Sequence, residues 1–139
     1  MLISTNLPGP GTAPPCPPTT MLAAAVDVEW SKNYQIKNGN VPFCYSVVWL
    51  PFSVGGGAVE LDPGRFWYRS AYVADAAETA DLAAEGDTCL ASVAGHAALI
   101  AGHQFCSDLA VLAAAAAAPG AAVTAARAAW RPRHRQERK

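Results

Sequence analysis

None of the four cysteines, Cys16, Cys44, Cys89 and Cys106, stands in a Cys-X-X-Cys pair, so neither a disulfide framework nor a zinc finger organises the chain. Reduced thiols in a cytoplasmic protein fit this usage. A membrane-spanning run is missing too: the longest wholly apolar stretch, residues 109–119, falls short of the roughly 20 residues that a span needs. The first residues lack the charged start and apolar middle of a secretory leader. Charge of one sign is not in excess. Ten Lys and Arg against eleven Asp and Glu leave a formal net charge of -1, so bulk charge does not hold a polyanion and any such site must be local. A phosphate loop is absent, since no Lys-Ser or Lys-Thr follows Gly55-Gly56-Gly57, which reads as an inter-strand connection. After Asp108 the sequence holds no aspartate.

What is present suits one ordinary domain. With 139 residues, 52% of them hydrophobic, the chain can bury a core but is too short for two. Residues 1–20 carry six of the eleven prolines and no apolar periodicity, which predicts a disordered extension to a domain that starts at Met21. Residues 121–139 form an Ala/Arg-rich basic tail, with Arg127, Arg131, Arg133, Arg135, Arg138 and Lys139 set against Glu137 alone. The domain is then residues 21–120.

Within it the pattern changes in order. Residues 22–30 and 41–52 are apolar, β-branched and aromatic, and Asn38-Gly39 between them is a turn signal, so the two read as an antiparallel hairpin with a long polar loop. Asp62-Pro63-Gly64 separates the short run 58–61 from the aromatic run 66–73, which gives a third strand or a bulged pair. Residues 74–84 turn helical and Gly86 interrupts them; Asp87 then caps a second helical piece ending near Gly95. Residues 97–101 read as a buried strand parallel to the first, and 105–118 as a helix stopped by Pro119-Gly120. The expected order is β-β-β-α-β-α, a mixed α/β sheet.

Two acids stand in the first strand. Asp27 and Glu29 are two residues apart, so both project from one face, and like charges set together call for a cation. An exposed face that happens to hold two acids is the plain alternative, weakened by the run of Ala and Val around them, which suggests a central strand where unpaired carboxylates are costly. Asp108 lies in the first turns of the last helix, where capping would explain it. If that helix emerges beside the first strand, all three carboxylates meet.

The segment Val26-Asp27-Val28-Glu29-Trp30 resembles the first motif of the DEDD 3′→5′ exonucleases, a group that includes polymerase proofreading domains, ribonuclease T and oligoribonuclease. Gly102-His103-Gln104-Phe105-Cys106-Ser107-Asp108-Leu109 is similar to their second motif, Gly-His-Asn followed by Phe-Asp-Leu, with Gln104 where Asn is usual. The resemblance spans residues 21–118 and implies a ribonuclease H-like sheet, with Asp27, Glu29 and Asp108 as catalytic ligands of two Mg²⁺ or Mn²⁺ ions. It also implies single-stranded DNA or RNA 3′ ends as substrate. The family's third motif, a His or Tyr base with a fourth Asp, is not found, and His134 followed by Glu137 does not replace it. The fold is therefore expected to be incomplete at its C-terminus, with weak activity or, alternatively, a catalytically silent remnant that binds nucleic acid or protein. Its exposed sheet edge is expected to be covered by a protein partner or a second copy.

Other groupings are weaker. His103, Cys106, His96 and Cys89 match no zinc spacing, and Cys44 and Cys106 sit in apolar sequence where thiols are inert packing. Trp49, Phe52, Phe66, Trp67, Tyr68 and Tyr72 read mostly as core, with one or two available to stack a base.

Overall fold

A computed structural model of the chain describes residues 1–32, 40–62, 64–116 and 120–129. The elements are β1 (Leu2–Thr5), β2 (Met21–Lys32), β3 (Asn40–Gly55), β4 (Ala58–Leu61), β5 (Trp67–Tyr72), a 3-10 turn (Ala76–Glu78), α1 (Thr79–His96), β6 (Leu99–Ala101), α2 (Phe105–Ala115) and α3 (Ala121–Ala129). Among the described residues they make one mixed α/β unit, a six-stranded sheet with three α-helices. The strand order is β1-β5-β3-β2-β6, with β4 hairpinned onto β3. Only β6 runs parallel to its neighbour, pairing Leu99–Ala101 with residues 23–25 of β2; the other pairings are antiparallel.

Alternation on β2 decides which face the helices cover. Leu22, Ala24, Val26 and Val28 are buried, and they share a core with Tyr45, Val47 and Trp49 of β3 and with Leu82, Leu90, Val93, Leu109 and Leu112 of the helices. The odd positions of β2 face the other way, where Ala25, Asp27 and Glu29 are exposed, as are Val48 and Tyr72 beside them. Between Glu29 and Trp30 the register with β3 slips by one: Glu29 pairs with Cys44, Trp30 with Pro42. Phe43 is the extra residue, and its carbonyl accepts the Val73 N–H at 2.9 Å.

Several expectations are corrected. The start of residues 1–20 is ordered: Leu2–Thr5 pairs with β5, the Tyr68 N–H donates to Asn6 Oδ1 at 2.8 Å, and Leu7 is buried in the core. An edge strand draws on backbone groups that a periodicity search does not see, so the unit does not begin at Met21. Nor does packing stop at 120, because Val123 of α3 is a core residue. Gly86 does not interrupt the helix; α1 runs unbroken past it, and a Cβ there would meet Leu112 at an ordinary 3.5 Å. Asp87 caps a different helix from the one expected, since its Oδ1 accepts the Val123 N–H of α3 at 2.9 Å. A Cβ on Gly120 would overlap that carboxylate.

Residues 99–101 are strand but not buried. Leu99 is 57% and Ile100 42% exposed, and an apolar groove of about 840 Å³ runs beside them, between Leu90 and Val93 of α1 and the alanines of α3. The glycine run is a tight hairpin, with Gly56 at φ 58 and Gly57 at φ 78. Of the aromatics assigned to the core, Trp49 and Phe52 are buried, whereas Phe66 and Tyr72 are exposed. The turn at Asn38-Gly39, and Arg131, Arg133, His134, Arg135, Glu137, Arg138 and Lys139 of the tail, lie outside the described residues. Among the described residues no helix is long and apolar enough to cross a membrane.

Candidate metal and active site

Because β6 pairs with β2 only as far as Ala25, the next residues of β2 have no strand beside them on that side among the described residues. The chain leaving β6 fills the gap. Gly102 makes the turn, and a Cβ there would lie 2.9 Å from the Phe105 side chain, so glycine lets Phe105 fold back against the turn. Gln104 follows in the left-handed region, at φ 56 and ψ 36, and its carbonyl accepts the N–H groups of Ser107 and Asp108 at 2.9 and 3.1 Å. This start to α2 directs Asp108 inward beside β2.

Asp27, Glu29 and Asp108 line one cleft of about 310 Å³, with Trp30, His103 and Gln104 on its walls. The two-residue spacing does put Asp27 and Glu29 on one face, but that face is exposed. The burial cost expected of them falls on Asp108 instead. Asp108 is 1% exposed, and its Oδ2 has no hydrogen-bond partner among the described residues. Its carboxyl is pushed up to about 6, first by burial and next by the negative charge of Asp27; the Val28 backbone N–H pulls it down, Glu29 raises it, and His103 lowers it. The Gln104 side chain makes no cap hydrogen bond at the start of α2, and Asp108 stands in the first turn of that helix, where the dipole favours a carboxylate.

The donors fit a hard divalent cation in kind: three carboxylates in one cleft, one with an orphaned buried oxygen. In arrangement they are not yet gathered, since among the described residues no group of three or more His, Cys, Asp or Glu side chains stands as a ready metal site. Asp27 and Glu29 are exposed and would have to turn onto Asp108 to complete one.

The zinc alternative finds no support in the packing. Cys89 is buried with its thiol 3.3 Å from the Tyr45 hydroxyl, and His96 Nδ1 lies 3.0 Å from the Ser92 carbonyl oxygen one turn back on α1. Cys106 is exposed rather than packed in apolar surroundings, and Cys44 is half-buried. Sequence reasoning gave Trp30 no role of its own and gave His103 one only in a zinc grouping, although the adjacency of both to the three acids was the signal available.

No family model, curated protein or solved structure matches this chain.

Proposed function

We propose that this domain is a ribonuclease H-like, DEDD-type 3′→5′ exonuclease module that acts on nucleic acid 3′ ends, with Asp27, Glu29 and Asp108 as its metal ligands. The observation that carries this reading is the orphaned Oδ2 of Asp108, buried beside Asp27 and Glu29 in a cleft open to solvent. A buried carboxylate with a spare oxygen and two acidic neighbours is costly to the fold, and a cation relieves all three. The parallel β6 next to β2, and α2 entering beside the two acids, agree with the topology that the sequence resemblance implies.

When bound, a pair of Mg²⁺ or Mn²⁺ ions supplies activation of the attacking water and stabilisation of the departing 3′ oxygen. The chain supplies the rest. Asp108 fixes one ligand rigidly in the helix–sheet junction, while Asp27 and Glu29 on the exposed face admit both ions and substrate. His103 stands on the wall of the same cleft and draws the Asp108 carboxyl down.

The direct test uses a single strand labelled at its 5′ end, in DNA and RNA forms, with Mn²⁺. Slow shortening from the 3′ end is expected, because a positioned base contributes about 10²- to 10⁴-fold and the family's base and fourth acid have no counterpart in the sequence. Asp27→Ala and Asp108→Ala should each abolish it. Trimming that survives both substitutions removes the proposal. A binding module without catalysis is the second reading, favoured by the lack of a gathered metal cluster among the described residues. No trimming by wild type, with the oligonucleotide still bound, would select it.

A further inference from the structure

A second groove continues from the acidic cleft. It shares Trp30 with that cleft and runs, about 660 Å³ in volume, between the end of β2, the start of β3 and the outer sides of α2 and α3. Its chemistry is the reverse of its neighbour's. Lys32 and Arg127 line it with the polar groups of Asn40, Ser107 and Thr124, and among the described residues no carboxylate contributes to its wall.

Four Lys and Arg side chains occur among the described residues. Arg69 is buried against Glu85, 2.6 Å away, and Arg65 pairs with Asp62 at 3.9 Å. Lys32 and Arg127 make no ion pair with a described residue. Both are exposed, and both line this groove. In a chain with a formal net charge of -1, the described Lys and Arg side chains that pair with no described acid thus meet on one surface, brought together from β2 and α3.

We infer that this groove holds the sugar–phosphate backbone of a single-stranded nucleic acid whose 3′-terminal nucleotide lies at Asp27, Glu29 and Asp108. The inference rests on the exonuclease reading for the direction of the strand, and on the groove itself for the contacts. Lys32 and Arg127 take successive phosphates upstream of the scissile bond, and Asn40, Ser107 and Thr124 offer neutral hydrogen-bond donors to phosphate and sugar oxygens. Trp30 sits where the two surfaces join. It is half-buried and packed against the core, which holds its indole in place as a platform for a base. The change of sign along the track gives it polarity. A phosphate chain is attracted to the Lys32–Arg127 end and repelled by the three acids until a divalent cation neutralises them, so only the terminal phosphodiester is drawn onto that charge.

The experiment measures fluorescence anisotropy of labelled 12-nucleotide oligothymidylate and oligouridylate with the full-length chain in EDTA, across a salt series. Wild type is compared with the double variant Lys32→Ala/Arg127→Ala and with Trp30→Leu. Arg131, Arg133, Arg135, Arg138 and Lys139 are common to all arms, so their charge cancels. The double variant should bind both oligonucleotides about tenfold more weakly, and its dependence of log affinity on log salt should flatten by about 1.4, the value for two lost single-strand phosphate contacts. Trp30→Leu should weaken binding by a similar factor and leave the salt slope unchanged.

Unchanged affinity and slope in the double variant, with its circular dichroism intact, would overturn the inference. So would displacement of the oligonucleotide by poly-glutamate as readily as by unlabelled strand, which would mark a surface for acidic peptide. The two readings fail separately. If the exonuclease reading is wrong, wild type does not trim but the double variant still loses binding; if the groove is wrong, acid-dependent trimming persists in the double variant with the same KM.

Discussion

Two carboxylates are held at the junction of helix and sheet, and the fold treats them in opposite ways. Glu85 of α1 is paired: its Oε1 accepts the Tyr45 hydroxyl at 2.8 Å, Arg69 Nε at 2.8 Å and Arg69 NH2 at 2.6 Å. Arg69 is buried, which works most strongly against its charge, and the hydrogen bonds and negative charge of Glu85 together with those of Tyr45 more than offset that cost. Cys89 and Tyr45 close the network, with both the thiol and the phenol raised by burial above all. Asp108 of α2 lies deeper and has the opposite surroundings, an oxygen with no donor and two further acids for neighbours. This sheet supplies an arginine where a buried acid serves only packing. Where it supplies none among the described residues and adds two more acids, the buried carboxyl is pushed up to about 6 instead.

Breaking the satisfied pair gives the largest expected effect. Arg69→Met leaves Glu85 buried without its cation and should cost about 3–5 kcal/mol in urea denaturation, a large part of the stability of a domain this size. Removing both charges with Arg69→Met/Glu85→Leu should restore much of that loss. If the single variant is as stable as wild type, the network is not what secures α1 to the sheet.

The same kind of change at the cleft should act with the opposite sign. Asp108→Asn removes a buried charge from beside Asp27 and Glu29, so without metal at pH 7.5 it should stabilise the fold by about 1–3 kcal/mol. The folded-state carboxyl, at about 6, lies above the ordinary value of 3.8. Stability from Asp108 is therefore fully present below about pH 4 and is lost as pH rises through 6. The advantage of the Asn variant should shrink across that window as pH falls. Thermal melts from pH 4 to pH 8 measure it, and an Asn variant less stable than wild type at every pH would mean that Asp108 is a structural acid like Glu85.

A smaller effect is expected at the cleft wall. Gln104 is held at φ 56, a region that Asn enters more readily than Gln. Gln104→Asn should therefore raise stability by less than about 1 kcal/mol in chemical denaturation, and a loss of more than that would show that the longer amide makes a contact of its own.

The two regions also differ in how far the sequence reveals them. The acidic site was legible because its signals are local: a two-residue spacing in a strand, and a Gly-to-Asp stretch opening a helix after a strand. The same patterns supplied the mixed α/β order and the parallel β6. The Arg69–Glu85–Tyr45–Cys89 network carries no such signal, since its members come from three separate elements and meet only after the helices pack. The β1 edge strand was hidden for a similar reason: backbone pairing recruited Leu2–Thr5 from a proline-rich context. Gly86 was misread as an interruption because a glycine within a helix is tolerated when its neighbours bury it, here Leu112 and Tyr45. Lys32 and Arg127 lie 95 positions apart in the numbering, and only the fold sets them on one groove.

The divalent-cation site can be tested without any substrate, by titrating Mn²⁺ into the metal-free protein in a calorimeter at pH 7.5 and pH 5.5. Wild type should bind at pH 7.5 and about fourfold more weakly at pH 5.5, where a carboxyl with a value near 6 is mostly protonated. Asp108→Asn and Asp27→Asn should lose the binding at both values. Mn²⁺ uptake that is identical in all three proteins, or no uptake by wild type at millimolar metal, would contradict a cation site built on these acids.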